Sequence, residues 1–273
     1  MDFTTGRRAF LRNLVLGGAT LPLAARLAAQ TPAEEAPASQ LENDLFSLAF
    51  DTRSGRLTIG RRGGGPLLSG AVVCANTAAG QRFTSEPAYR HTVETLGQRD
   101  LLGKGRQLVV RSSDGKRQLD FEWRVTLYAG RPLVLIEAAC RNVCTQTLIV
   151  ESLEPIHAIR EHEGALLWPN TARLLTNGAM YYDPGVVADF AQPDSTTLRS
   201  WWNIGLFCGY GREGLACGYL DNQAALGQVT ARREGGAAIS LTAESVLAKG
   251  FELRPGQTAH SGRFMLKIGR AHV

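Results

Sequence analysis

Aromatic and amide side chains gather in two neighbouring stretches of the chain, 174–185 and 200–206. Flat rings stack on the apolar C–H faces of sugars, and amide or carboxylate groups hydrogen-bond to sugar hydroxyls, so such a cluster suits carbohydrate binding. The alternative interpretation is that these rings fill a core, as aromatic side chains more often do in a sandwich. The residues that we predict to bind substrate are Asn177, Tyr181, Tyr182, Asp183, Trp201 and Trp202.

Two carboxylates, one in the first stretch and one just after it, are the candidates for glycoside hydrolysis. Asp183 and Asp189 flank Pro184-Gly185, and a retaining hydrolase uses two carboxyl groups about 5–5.5 Å apart. Asp-Pro-Gly is also ordinary turn chemistry. We therefore interpret the segment as a turn and assign no catalytic residue in this chain.

The cysteines and histidines indicate neither a metal site nor a cofactor. None of the five cysteines forms a CxxC pair, so a structural zinc site is not expected. A turn over 211–214 would place Cys208 opposite Cys217, either as a disulfide or as two small buried side chains. His157 and His162 bracket Glu161 and Glu163 without a usual ligand spacing, so we interpret that segment as a solvated loop.

Short runs of β-forming residues separated by turns indicate an all-β fold. Five apolar residues alternate with polar ones between Leu119 and Leu127, which predicts a strand with one buried and one solvated face. Trp201 and Trp202 are adjacent, so on a strand they would face opposite sides. We predict a large antiparallel β-sandwich, with strands at 46–50, 56–59, 107–111, 118–128, 133–140, 204–210, 215–220, 238–243 and 262–266.

The N-terminus has the features of a twin-arginine export signal. Arg7 and Arg8 precede Ala-Phe-Leu-Arg, an apolar run from Leu14 to Ala25 follows, and small residues at 28–29 end it. We expect a signal peptide at 1–29, a flexible linker at 30–44 and the sandwich at 45–266. The protein is then periplasmic or secreted.

Charge and hydropathy exclude two classes of partner. Residues 1–29 hold four arginines and one aspartate, which supply +3 of the formal net charge of +5. The remaining charges are scattered and form no basic stripe of the kind that binds nucleic acid. No later apolar run is long enough to span a bilayer, so we expect no membrane contact after the signal is removed.

Several short motifs resemble one family of proteins. Asn177-Gly178 is similar to the start of an Asn-Gly-aromatic-Gln-Ser-Trp segment, with Tyr182 in place of the Trp and with Ala179 and Met180 departing from the pattern. The run Gly214-Leu-Ala-Cys-Gly-Tyr-Leu and the hairpin at 54–57 are similar as well. Together they resemble the N-terminal β-supersandwich, a galactose-mutarotase-like domain, of α-galactosidase (melibiase) and raffinose-synthase-type glycoside hydrolases.

This resemblance implies that catalysis and sugar binding are shared between two domains. In that family the sandwich precedes a (β/α)8 barrel that carries the catalytic carboxylates, and it can lend a residue to the rim of the sugar pocket. The partners expected for this chain are therefore a galactoside-type carbohydrate and a barrel absent from it. Two alternatives stay open: a free-standing carbohydrate-binding module, and a mutarotase-like enzyme with its own His and carboxylate in one cleft.

The last residues, 267–273, read Lys-Ile-Gly-Arg-Ala-His-Val. One set of codons for this segment matches the start of a common sequencing-library adapter. We therefore expect 267–273 to be non-native, with the natural protein continuing past Leu266.

Overall fold

The computed structural model describes residues 38–113, 115, 118–168, 171–178, 184–190, 197–208, 213–221, 225–235 and 238–270. These residues form strands and one short 3₁₀-helix at Arg160–His162, with no α-helix in the described ranges. Among the helices of those ranges, none has the length and apolar character of a membrane span. In chain order the strands are β1 (Ala38–Glu42), β2 (Phe46–Asp51), β3 (Arg56–Arg61), β4 (Pro66–Thr77), β5 (Gly80–Phe83), β6 (Arg90–Asp100), β7 (Gly103–Ser113), β8 (Leu119–Tyr128), β9 (Leu133–Asn142), β10 (Leu148–Ala158), β11 (Ala165–Leu167), β12 (Thr171–Thr176), β13 (Val187–Asp189), β14 (Thr197–Trp201), β15 (Asn203–Cys208), β16 (Glu213–Tyr219), β17 (Leu226–Gly235), β18 (Ala238–Val246), β19 (Glu252–Leu253), β20 (Thr258–His260) and β21 (Phe264–Arg270).

The strands pair into two large sheets. Sheet A has the order β1-β2-β3-β4-β10-β18-β17-β14, with β5, β11 and β19 paired at its sides. Sheet B has the order β13-β12-β15-β16-β21-β9-β8-β7-β6, with β20 paired to β9. Neighbouring strands run antiparallel, as in β2–β3 and β8–β9. The predicted large antiparallel sandwich is confirmed.

Alternating side chains of both sheets fill the space between them. In β8 the five alternating apolar residues between Leu119 and Leu127 are at most 2% exposed, as predicted. Trp123 of this set meets Phe50 of sheet A edge-on, with 6.4 Å between ring centroids. Truncating a core aromatic to alanine typically costs about 3–5 kcal/mol, so contacts of this kind hold the two sheets together.

The other face of β8 is less solvated than the alternation predicts. Thr126 is buried and accepts a hydrogen bond from Gln107 Nε2 at 2.9 Å. Beside it, Tyr128, Leu133 and Leu135 form a second, smaller apolar cluster on the outer side of sheet B. The prediction that this face of β8 is fully solvated is wrong at its C-terminal end, because Leu102 and Met265 also pack there.

Two described segments lie at predicted domain limits. Strand β1 lies inside the predicted 30–44 linker and pairs with β2, from Ala38↔Asp51 to Glu42↔Ser47. The strand forms there because Leu41 is buried in the core. At the other limit β21 runs to Arg270, and it pairs with β16 as far as Glu213↔Arg270. The origin of residues 267–273 stays a prediction.

Candidate functional site

Three of the six predicted binding residues are described, and the structure brings them together. Asn177 follows β12, Trp201 ends β14 and Trp202 lies between β14 and β15. The other three predicted residues, Tyr181, Tyr182 and Asp183, lie outside the described residues.

Backbone and amide hydrogen bonds join these residues at one end of the sandwich. The Asn177 N–H donates to Ser200 Oγ at 2.7 Å, and the Trp201 N–H donates to the Asn177 carbonyl at 3.0 Å. Asn177 Nδ2 donates to Asn203 Oδ1 at 2.8 Å, and the buried Ser200 hydroxyl donates to the Asn203 carbonyl. We call the group Asn177, Trp201, Trp202 and Asn203 the tryptophan corner.

The tryptophan corner is where the chain crosses from sheet A to sheet B. Trp202 has φ +63°, in the left-handed region that non-glycine residues rarely adopt. Because the backbone turns here, the two indoles do not face opposite sides as on a continuous strand. Their ring centroids are 6.4 Å apart with planes tilted by 51°, and both residues are half-buried.

The corner rests on a tightly packed base. The Trp202 N–H donates to the Gly227 carbonyl at 2.8 Å, and the Tyr219 N–H donates to the Trp202 carbonyl at 2.7 Å. Gly218 lies so close that a Cβ there would be 2.3 Å from Asn203 Cβ. Burial raises the pKa of Tyr219 well above its ordinary value, so this ring is a neutral packing group.

The side chains of the tryptophan corner can bind a ligand or another protein surface by non-covalent contacts. Two half-exposed indoles beside two side-chain amides can stack on a sugar or pack on another protein surface. None of the four corner residues has an acidic or basic side chain, so the corner itself cannot carry out acid–base catalysis.

The structure does not show whether Asp183 and Asp189, the two candidate carboxylates, lie close together, because only Asp189 is among the described residues. Asp189 ends β13 at the edge of sheet B and is exposed, opposite Arg173 in the register. Asp183 lies outside the described residues. The interpretation of this segment as a turn stays a prediction.

A groove of about 520 Å³ lies elsewhere, on the outer side of sheet B. One of its carboxylates, Glu122, accepts hydrogen bonds from Arg111 Nε at 3.1 Å and Arg124 Nε at 2.7 Å. Two guanidinium groups therefore form salt bridges with this carboxylate. The groove is lined by Thr92, Arg111, Ser112, Ser113, Asp120, Phe121, Glu122, Ala139, Arg141, Thr258 and His260.

Of the two alternatives for Cys208 and Cys217, the structure does not contain the disulfide. Phe207 lies opposite Gly214 and Ile204 lies opposite Cys217 in the β15–β16 hairpin. Cys208 and Cys217 are therefore not across from each other. None of the five cysteines, all of them in described ranges, forms a disulfide.

Sequence reasoning missed a buried polar cluster on the outer side of sheet A. Cys74, Glu154 and His157 are all buried, and potential ligand atoms of the three lie within 4.8 Å of one another. His157 belongs to β10, so its assignment to a solvated loop is wrong. Residues three apart face opposite sides of a regular strand, but a register shift between Leu153 and Ile156 brings Glu154 and His157 together. Pro155 inside the strand was the available signal, since proline within a sheet often marks a bulge.

No family model matches the chain, and no curated protein matches it by sequence. Solved structures do match it by fold. An α-galactosidase from Lactobacillus brevis aligns with a TM-score of 0.56 at 12% identity, over 87% of this chain and 40% of its own. The family 36 α-galactosidase AgaB of Geobacillus stearothermophilus aligns with a TM-score of 0.57 at 11% identity, over the same shares.

A third structure widens the range of activities that share this fold. It is an α-N-acetylgalactosaminidase from Bifidobacterium bifidum, with a TM-score of 0.55 at 12% identity, over 86% of this chain and 36% of its own. This chain thus spans about 40% of the length of the α-galactosidases that it matches. It has the fold of one part of the family 36 α-galactosidases.

Proposed function

We propose that this chain is the N-terminal, non-catalytic sandwich of an exported glycoside hydrolase resembling α-galactosidases. One observation carries the proposal: solved α-galactosidases match 87% of this chain, whereas the chain accounts for only 40% of theirs. The unmatched share is large enough for a separate catalytic domain. In this proposal that domain is a barrel that bears the catalytic carboxylates and binds a galactoside.

The tryptophan corner is the surface that we propose for contact with the barrel or the sugar. Its two indoles are half-buried in the chain alone, and its side-chain amides join the end of β12 to the start of β15. Large aromatic side chains that stay partly exposed at an ordered backbone site are typical of interaction surfaces. The same corner would form one wall of a sugar pocket completed by the barrel.

Sequencing the gene past the codon for Leu266 tests the proposal directly. We expect an open reading frame that continues with alternating strand and helix patterns, as a (β/α)8 barrel requires. A genuine stop codon directly after Val273 in genomic DNA would contradict it.

The isolated chain should lack glycosidase activity. Purified residues 30–273 are expected to give no turnover of an aryl α-galactoside above the rate without protein, because no catalytic pair is assigned within them. Activity that is lost in the Asp183→Asn variant would instead make this chain an enzyme in its own right.

The buried Glu154–His157 pair does not provide the acid and base that the mutarotase-like alternative needs. Such an enzyme needs its acid and base on either side of a bound sugar. Glu154 Oε2 and His157 Nδ1 instead contact each other at 2.6 Å, and both side chains are buried. That separation leaves no room for a sugar ring between them.

A further inference from the structure

The buried polar cluster on the outer side of sheet A has the donor atoms of a metal site. Cys74 lies directly opposite Glu154 in the β4–β10 register. The β10 bulge brings His157 to the same side, where its Nδ1 is 2.6 Å from Glu154 Oε2. The three residues are 0%, 5% and 4% exposed.

A neighbouring amide orients the carboxylate. Asn76 Nδ2 donates to Glu154 Oε1 at 2.8 Å and to Ser152 Oγ at 2.7 Å. One carboxylate oxygen is thereby engaged, and the other is directed at His157. Outer-shell hydrogen bonds of this kind fix the orientation of metal ligands.

One polar atom of the cluster has no protein partner. His157 Nε2 is buried and has no hydrogen bond within the described part of the chain. Buried nitrogen atoms nearly always have a partner, and one without any calls for a water or an ion. This unpartnered nitrogen can take up the ring proton when Nδ1 binds a metal.

The donor set and its charge fit a zinc-type cation. Sulfur, imidazole nitrogen and carboxylate oxygen are the three zinc ligands of proteins. A thiolate from Cys74 and the carboxylate of Glu154 together carry the charge that neutralises a divalent cation. Neutrality matters because an uncompensated charge in a buried setting is strongly disfavoured. Binding releases the Cys74 thiol proton to solvent as the sulfur–metal bond forms. The proton between His157 Nδ1 and Glu154 Oε2 moves to His157 Nε2, so that Nδ1 and Oε2 can both bind the metal.

The aromatic rings of Phe83 and His162 cover the cluster. The Phe83 ring is 5.2 Å from the His157 ring and 4.4 Å from the His162 ring, measured between centroids. His162 ends the short 3₁₀-helix and is half-buried, with its ring 5.1 Å from that of His157.

We propose that Cys74, Glu154 and His157 bind one zinc-type divalent cation, with the fourth position filled by His162 or water. Three protein ligands and one open position are the pattern of zinc sites that keep an exchangeable ligand. The site is separate from the tryptophan corner, and it does not depend on the proposed function.

Cobalt titration of the purified mature chain tests this proposal, because cobalt replaces zinc and reports a thiolate ligand. We expect a thiolate-to-cobalt charge-transfer band in the near ultraviolet that saturates at one equivalent and disappears when zinc is added. Release of a proton on binding, measured in weakly buffered solution, is expected as well.

Variants separate the site from adventitious binding. Cys74→Ser should abolish the band, whereas Cys140→Ser, which alters another buried cysteine in sheet B, should retain it. Asn76→Ala keeps all three ligands and should weaken cobalt binding by roughly 10–100-fold. The proposal is overturned if the folded wild-type chain gives no band, or if Cys74→Ser gives an equal one.

Discussion

At the scale of single residues, Glu137 shows how burial sets a charge in this protein. Its carboxylate lies half-buried on the outer side of sheet B, opposite Arg124 in the β8–β9 register. Burial raises its pKa, and the charges of Arg124 and Arg263 oppose that rise without cancelling it. The ionised carboxylate is therefore less favourable in the folded protein than in the unfolded chain.

Glu137→Gln should stabilise the protein at neutral pH. Below the unfolded pKa of about 4.3 the carboxyl is protonated in both the folded and the unfolded state, and its burial then carries no charge penalty. As pH rises through the higher folded pKa the buried carboxyl ionises, and this lowers the free energy of unfolding. Glutamine mimics the protonated form, so the variant's melting temperature should exceed that of the wild type at pH 7. The difference should vanish near pH 3.

Exposed Glu42 offers the matched control. Glu42→Gln should leave the melting temperature almost unchanged at both pH values. Equal gains for the two variants would mean that net charge alone, and not the burial of Glu137, sets the effect.

At the scale of elements, the close approach of β15 and β16 positions the tryptophan corner. Asn203 and Gly218 are paired in this hairpin, and a Cβ at Gly218 would lie 2.7 Å from the Trp202 carbonyl. A glycine is required at this position because backbone and side-chain atoms of the neighbouring strand occupy the space.

Gly218→Ala should therefore push β15 away from β16 and distort the corner. We expect a loss of about 1–3 kcal/mol in the free energy of unfolding, typical of overpacked sites, and a change in tryptophan emission. Urea unfolding followed by fluorescence measures both. Gly97→Ala is the control, since a Cβ there meets nothing within 4 Å and should change stability by less than about 0.5 kcal/mol.

At the scale of the whole molecule, the fate of the tryptophan corner separates two interpretations of the chain. If the corner docks on a barrel, purified residues 30–273 should self-associate, and a barrel supplied in trans should suppress this. If the corner is a sugar platform, the protein should stay monomeric and its tryptophan fluorescence should change with galactosides. Exposed apolar patches generally mark one of these two uses.

Alanine variants assign the effect to the corner. Trp201→Ala and Trp202→Ala should each reduce self-association or abolish the galactoside response, as seen by light scattering and fluorescence. Leu101→Ala removes a fully exposed apolar side chain elsewhere and should change neither. A response that survives both tryptophan variants would leave the corner with only a structural role.

Export is a separate property of the whole chain. Arg7→Lys with Arg8→Lys should keep the protein in the cytoplasm with its leader uncleaved, because lysine does not reproduce the planar guanidinium pair. Arg12→Lys is the control, since lysine is usual at that position of the signal. Cell fractionation measures the outcome, and normal export of the double variant would refute the signal assignment.

The fold class and many of the strands could be predicted from the sequence alone. The 46–50 and 56–59 predictions fall within β2 and β3, and the alternation from Leu119 to Leu127 gave the core face of β8. These features are local, because side chains alternate along any strand and turn residues mark its ends. Asn177, Trp201 and Trp202 were predicted to bind substrate, and that role stays a prediction.

Which side chains meet across strands could not be read from the sequence. The β15–β16 register places Ile204, and not Cys208, opposite Cys217, and a bulge in β10 joins Glu154 to His157. The left-handed turn at Trp202 likewise places two indoles together that strand alternation would separate. Register, bulges and sheet crossings depend on packing between distant segments, and a shift of one residue reverses every side chain that follows.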